Sequence, residues 1–465
     1  MKILKKIWNW IDDRSGFSEI FKPLMNHPVP PGSKWSYVFG SATLFCLILQ
    51  IVTGIALSLL YQPSSSEAYH SLQFITHTAK FGNVLRGIHY FGASGMIIMV
   101  GIHMMRVYIM AAYKYPREMS WISGVLLLFL TIAMGFTGQL LRWDSNGVWS
   151  AVVAAEQMGR IPFIGKFIAR LILGGDTIGG HSLSRLYSYH VFIIPAFIFL
   201  FVGYHLMLVV RNGISEPAKA GRPVDPKTYR QWYKDMLKKN GVPFWPYAAW
   251  RDILFGAATI IVIVFFAFVF GPPELTHPPD PSFIYTNPSP DWYMLSIFSL
   301  FALMPPKIES VVIFIGPIFT ILILLSLPFL SNKGERSPIR RPWAVFGSAC
   351  VFIFIFTLFL LGEKSAWSPH FDVKPLSKST INSSNPSVIE GAHLFYKKGC
   401  LYCHRIGEQG GLKGPDLTKL SLRLSESDIK LRIVNGGSDM PAYGGILSSK
   451  ELDAIVDFLK NSKQQ

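Results

Sequence analysis

The run Gly87-Ile88-His89-Tyr90-Phe91-Gly92-Ala93-Ser94-Gly95-Met96-Ile97-Ile98-Met99-Val100-Gly101-Ile102-His103 places two histidines fourteen residues apart in an uncharged, largely apolar stretch. A second apolar stretch carries His190 and His205, fifteen apart. At 100° per residue each pair stays near one helix face, and the helical rise separates its members by about 21 to 23 Å. Ionisable side chains inside a bilayer are costly and usually functional. One such histidine alone is readily explained as a polar residue bonded across a bundle, but matched spacing on two helices favours ligation at two depths. His89 would pair with His190 and His103 with His205, each pair holding one b-type haem.

The rest of the chain fits a polytopic membrane protein. Half of its 465 residues are hydrophobic and only 15% are charged. Apolar runs of the roughly 20 residues needed to cross a bilayer occur at about 36–60, 87–112, 121–141, 188–210, 251–271, 309–330 and 343–362. The expected fold is all-α: a four-span dihaem bundle, three further spans and a small helical tail. Met1-Lys2-Ile3-Leu4-Lys5-Lys6 leads into Asn9, Asp12, Asp13 and Arg14 instead of a long apolar core, which is not the pattern of a cleavable signal peptide. Lys and Arg concentrate before span one and after spans two, four and six, so the positive-inside rule places the N-terminus in the cytoplasm. Seven spans then put everything after residue 363 outside. The net charge of +16 is mostly this loop charge. No aromatic-interleaved basic groove accompanies it, and nucleic-acid binding is not expected. Composition divides the chain into 1–212, 213–363, a Ser/Asn/Pro/Lys-rich linker at 364–386, and 387–465.

The tail contains Cys400-Leu401-Tyr402-Cys403-His404, two of the four cysteines followed directly by a histidine. That spacing lets two thiols form thioethers with haem vinyl groups while the histidine ligates the iron, which marks a c-type haem site. A zinc half-site or a redox dithiol would need a second Cys/His pair or a βαβ context, and neither is present. Met440, in Gly437-Ser438-Asp439-Met440-Pro441, is the candidate second axial ligand. Cys46 and Cys350 lie in apolar spans, where they pack as small hydrophobes.

Glycines repeat the histidine interval. Gly40 and Gly54 on span one, and Gly124 and Gly138 on span three, are each fourteen apart. A missing Cβ allows close approach to a flat macrocycle, although small residues also serve ordinary helix packing in membranes. Arg86, Arg106, Arg117 and Arg185 lie near the ligands in sequence and are candidate partners for haem propionates, or simply charges at span ends.

With these histidines, glycines and Arg117-Glu118-Met119-Ser120-Trp121, residues 1–363 resemble cytochrome b of the cytochrome bc complexes, the quinol:cytochrome c oxidoreductases. The fifteen-residue interval and the four-plus-three plan are similar to the plastid and Gram-positive type, whose two blocks are separate chains. Pro290-Asp291-Trp292-Tyr293, Pro328-Phe329-Leu330 and Arg340-Arg341-Pro342 resemble the second block, subunit IV. The tail resembles a class I cytochrome c. This resemblance implies quinol oxidation at an outer site on the Pro290–Tyr293 loop. Asp291 stands where most members have Glu and would accept a proton, Tyr293 would help position the quinol, and Pro278, Pro279, Pro281 and Pro288 would stiffen the approach. One electron would pass through a Rieske iron-sulfur protein to haem c and the other through both b haems to an inner quinone site, with proton translocation across a bacterial cytoplasmic membrane. The chain lacks the two-Cys, two-His Rieske signature, so that protein is a separate partner. A cytochrome c acceptor, the quinone pool and a homodimeric complex complete the expected partners. Val38 occupies the plastid-type position of a cysteine that anchors an extra haem, and Arg211 is one position from the family's inner-site arginine. The alternative is a dihaem anchor conducting electrons from quinol to a periplasmic reductase, which leaves the Pro-Asp-Trp-Tyr block unexplained.

Overall fold

The computed structural model describes residues 2–280, 288–437 and 440–461, so Pro281, Ser438 and Asp439 lie outside the described residues. Among those described, seven helices are long and apolar enough to cross a membrane: Phe39–Ser58, Gly82–Ile109, Glu118–Leu140, Gly180–Asn212, Ala249–Val269, Ile308–Leu330 and Pro342–Lys364. These are spans one to seven. Span two begins five residues before its apolar run and span four eight before, because a helix continues into the polar boundary while hydropathy registers only the hydrocarbon-crossing part.

The chain forms two compact units, residues 1–279 with 306–354, and residues 280–305 with 355–465. In the first, span one packs on span two, span three on span four, and span five crosses both one and two. Gly87 lies so close to Ala267 of span five that an added Cβ would sit 3.1 Å from the Ala267 Cβ, the small-residue contact that lets membrane helices approach closely. Leu200, Ile261, Phe265 and Phe268 are exposed on these spans, as expected of residues facing lipid.

Polar ties at loops and span ends hold this unit together. Arg341 donates to the carbonyls of Tyr108 and Ile109 and to the Tyr113 hydroxyl, satisfying acceptors that the end of span two leaves open. Trp121 Nε1 donates to the Leu324 carbonyl at 2.6 Å. A buried pair joins Arg336 to Glu216, whose other oxygen accepts from the Tyr229 hydroxyl at 2.6 Å.

In the second unit, helix Trp292–Ala302 packs on the end of span seven. A Cβ at Gly362 would lie 2.5 Å from Leu295 Cγ and Ser299 Oγ. The tail folds around helices Pro386–Lys397, Glu426–Asn435 and Ser449–Asn461. Gly391 permits the first and last of these to touch backbone to backbone, because a Cβ there would fall 1.9 Å from the Ala454 carbonyl oxygen. The Phe395 and Phe458 rings meet beside this crossing at 5.6 Å. The polar segment 364–386 is not a free tether along its length. Leu376 is only 8% exposed and belongs to the tail's core, with Val373 and Ile381 packed against it.

Candidate functional site

Each of the four span histidines faces one of the four spaced glycines. An added Cβ at Gly40 would lie 3.0 Å from His103 Cε1, at Gly54 3.3 Å from His89 Cε1, at Gly124 3.5 Å from His205 Cε1, and at Gly138 2.8 Å from His190 Cε1. The glycines thus make room for the imidazoles themselves.

The residue before three of these glycines carries a hydroxyl bonded to the same ring. Thr53 Oγ1 is 2.9 Å from His89 Nδ1, Thr137 Oγ1 3.1 Å from His190 Nδ1, and Ser123 Oγ 2.8 Å from His205 Nδ1. A hydroxyl accepting from Nδ1–H fixes the tautomer that leaves Nε2 available to a metal. Phe39 precedes Gly40, so His103 has no hydroxyl at the matching position. Composition alone did not single out these hydroxyls, although the repeated Thr-Gly and Ser-Gly pairs at the haem interval were a usable signal.

The His89 and His190 ring centroids are 6.4 Å apart. Two metal–nitrogen bonds of about 2 Å, plus about 1.1 Å from each nitrogen to its ring centre, require a separation of about 6 Å. The His89 and His190 rings are therefore spaced as two imidazoles on one metal ion would be. His103 and His205 line a single cavity with Tyr37, Arg106, Gly124 and Ser215. Ser215 is 3% exposed, and its hydroxyl has no hydrogen-bond partner among the described residues.

His190 lies in a π-helical turn, Tyr189–Ile193, set into span four. Fifteen steps of 100° overshoot whole turns by about 60°, whereas fourteen fall short by about 40°. A π-turn takes up one extra residue. It returns His205 to the phase that His103 has on span two, which reconciles the unequal intervals.

The four arginines separate by environment. Arg86 donates to Thr76 Oγ1 at 2.9 Å and to the Pro273 carbonyl at 2.7 Å, fastening a loop and a short helix to span two. Arg117 donates to the carbonyls of Gly213 and Ile214 and to the Tyr229 hydroxyl, the role of a cation at a helix C-terminus. Arg117 also lines the cavity that holds His103 and His205. Arg106 lines the same cavity, with its guanidinium 3.8 Å from the Tyr37 ring centre. Arg185 is exposed on helix Gly180–Ser188, just before His190.

Asp291 begins helix Trp292–Ala302 without a side-chain cap bond to it, and one carboxylate oxygen accepts from the Tyr293 hydroxyl at 3.1 Å. The Trp292 and Tyr293 rings meet edge to face at 5.7 Å, and Pro290 directly precedes the pair.

In the tail, Cys400–Cys403 forms one helical turn, and His404 Nδ1 donates to the Pro415 carbonyl at 2.9 Å, again leaving Nε2 for a metal. Gly414 gives the ring space, since a Cβ there would lie 2.5 Å from it. Burial pushes the Cys400 thiol up to about 11 and raises that of Cys403. A reactive dithiol needs the opposite shift. Met440 packs against the tail's core, and its carbonyl accepts from Gly437 N–H at 2.9 Å.

Known proteins match the same pieces. A family model described as cytochrome b/b6/petB covers residues 24–213, and one described as cytochrome b(C-terminal)/b6/petD covers 280–378. The model for cytochrome c oxidase, cbb3-type, subunit III covers 387–459. Cytochrome b6 of Acaryochloris marina is 36% identical over 214 residues, 46% of this chain and all of the relative. That of Prochlorothrix hollandica is 36% identical over 211 residues, 45% of this chain and 95% of the relative. A solved hyperthermophilic respiratory Complex III chain aligns with a TM-score of 0.65 and 30% identity, covering 76% of this chain and 91% of that one. The b-type domains imply b haems, and the cytochrome c domain a covalent haem. The chain belongs to the cytochrome b/b6 family, as a multi-pass membrane protein with a subunit IV-type block and a cytochrome c domain in one polypeptide.

Proposed function

We propose that this protein is the cytochrome b/c subunit of a bacterial respiratory bc complex, oxidising membrane quinol on the outer side and reducing quinone on the inner side. The observation that carries this reading is the outer pair: His89 and His190 at 6.4 Å, each backed by a hydroxyl and a glycine. Bound haems supply one-electron transfer, b-type across the membrane and c-type outside it. His89 with His190 and His103 with His205 hold the b haems. Cys400, Cys403, His404 and Met440 hold haem c, and Arg106 serves an inner-haem propionate. At the outer site Pro290, Trp292 and Tyr293 shape the quinol pocket, and the Asp291 carboxylate takes up a quinol proton. One electron leaves through a separate Rieske iron-sulfur protein to haem c and on to a cytochrome c acceptor. The other crosses through the two histidine pairs, and proton release outside with uptake inside makes the cycle translocating. The complex is a homodimer in the cytoplasmic membrane, with the N-terminus in the cytoplasm and the cytochrome c domain outside.

Reduced-minus-oxidised spectroscopy of the purified protein should give two b haems per c haem. Any other ratio overturns the cofactor assignment. Inhibition of haem c reduction by an outer-site quinol analogue is expected for this function and not for an anchor feeding a separate reductase.

The hydroxyls offer a finer test. Thr53→Val removes the Nδ1 acceptor of His89 while keeping side-chain volume. A less basic imidazole stabilises ferric iron less, so one b haem should remain bound with a higher midpoint potential. A redox titration in which both b midpoints match the native protein would exclude this role for Thr53.

A further inference from the structure

The connection between span seven and the haem-bearing tail is fastened at both ends. Span seven ends at Lys364, where Ser365 N–H turns back to the Leu361 and Gly362 carbonyls. Three residues later the Trp367 ring packs on Phe298 at 6.3 Å. Phe298 belongs to helix Trp292–Ala302, the helix that Asp291 begins. His370 N–H then donates to the Tyr402 carbonyl at 2.8 Å, and the Phe371 ring meets the Tyr402 ring at 5.3 Å. Tyr402 lies between the two cysteines of the Cys400–His404 motif. Beyond it Leu376 enters the tail core, and Ser377 N–H and Thr380 Oγ1 both donate to Gln409 Oε1 at 2.9 Å. What composition marks as a linker of about two dozen residues therefore reduces to a strap of six, 365–370, between two anchored ends.

We propose that Trp367, His370 and Phe371 are positioning residues that hold the haem c turn at a fixed place and orientation relative to the Asp291 helix. The aromatic contacts clamp the strap at Phe298 on one side and at Tyr402 on the other. The backbone bond from His370 sets its register. Without the clamps the segment is free from 365 to the core anchor at Leu376 and spans at most about 40 Å when extended, so their loss would let the domain swing within that radius while remaining attached. Preorganisation of this kind removes the entropy of finding the productive geometry at each electron transfer. The assignment rests on the proposed role of haem c as the acceptor for the Rieske partner, and its test separates the two.

The experiment compares the native complex with the double variant Trp367→Ala/Phe371→Ala and with the single variant Trp367→Phe. Electron paramagnetic resonance of ferric haem c in oriented membranes reads the clamp directly. The native protein and Trp367→Phe should show a defined haem c orientation, and the double variant a broad distribution, with haem content, spectrum and midpoint unchanged in all three. Reduction of haem c by quinol in the assembled complex should slow roughly tenfold or more in the double variant as local concentration falls, while reduction of the b haems stays at the native rate. A double variant that keeps the native orientation overturns the strap, as does a native protein whose haem c is randomly oriented. If orientation responds as expected but quinol reduces haem c in none of the proteins, the strap stands and the Rieske-acceptor reading falls.

Discussion

His190→Ala is expected to remove one b haem and leave the other b haem and haem c in place. The ring of His190 lies 6.4 Å from that of His89. If His89 and His190 together hold a b haem, as proposed, His190→Ala would leave it a single protein ligand, and loss of a first ligand costs more than the tenfold to hundredfold in affinity typical of outer-shell changes. The b-to-c ratio should fall from two-to-one to one-to-one, and steady-state quinol oxidation to background, since the path between the two faces is cut. Gly138→Leu should reproduce the phenotype without replacing a histidine, because its Cβ alone would lie 2.8 Å from His190 Cε1 and the larger side chain would displace the ring. Gly101→Ala is the control: it lies on the same span as two of the histidines, yet an added Cβ meets nothing within 4 Å, and haem content should be native. A His190→Ala protein with two b haems would show that the ligands are paired wrongly.

Features carried by local periodicity were legible in the residues. The spans appear as apolar runs, and the histidines and glycines recur at fourteen or fifteen residues, an interval that a helix converts into common faces. What depends on how helices meet was not. The glycine interval was visible at 40, 54, 124 and 138, but the partner of each, an imidazole edge, follows from inter-helix register. The extra residue between His190 and His205 was countable, yet its absorption in a π-turn at Tyr189–Ile193 is a change in hydrogen bonding with no residue-type signature. Arg86 and Arg117 look alike in sequence, as charges near ligands. Their partners, Pro273 and Tyr229, lie 187 and 112 residues away, beyond the reach of local reading. The polar linker misleads for a related reason. Its Ser, Asn, Pro and Lys content suggests solvent exposure, whereas Ser377 and Thr380 are bonded to Gln409 across the tail.

Asp291→Ala is expected to slow quinol oxidation by roughly 10²-fold or more, the usual scale for loss of a positioned proton acceptor, while all three haems stay bound. The residue sits where a helix begins, so its backbone position is defined by Trp292–Ala302, and its carboxylate faces the Tyr293 hydroxyl at 3.1 Å. Asp291→Asn keeps the shape but removes the basic oxygen, so it should match alanine if proton uptake is the role and resemble the native protein if the side chain only shapes the loop. Asp291→Glu restores the acceptor on a stem one methylene longer and should recover most of the rate. Tyr293→Phe removes the hydroxyl's bond to Asp291, worth about 1 to 2 kcal/mol, and its effect should be roughly tenfold, with the larger part in KM if Tyr293 positions quinol. The measurement is quinol-dependent reduction of haem c in the assembled complex with its Rieske partner. Turnover of Asp291→Ala equal to native would remove this carboxylate from the proton pathway, and turnover lost in Asp291→Ala but intact in Asp291→Asn would assign it to loop structure instead.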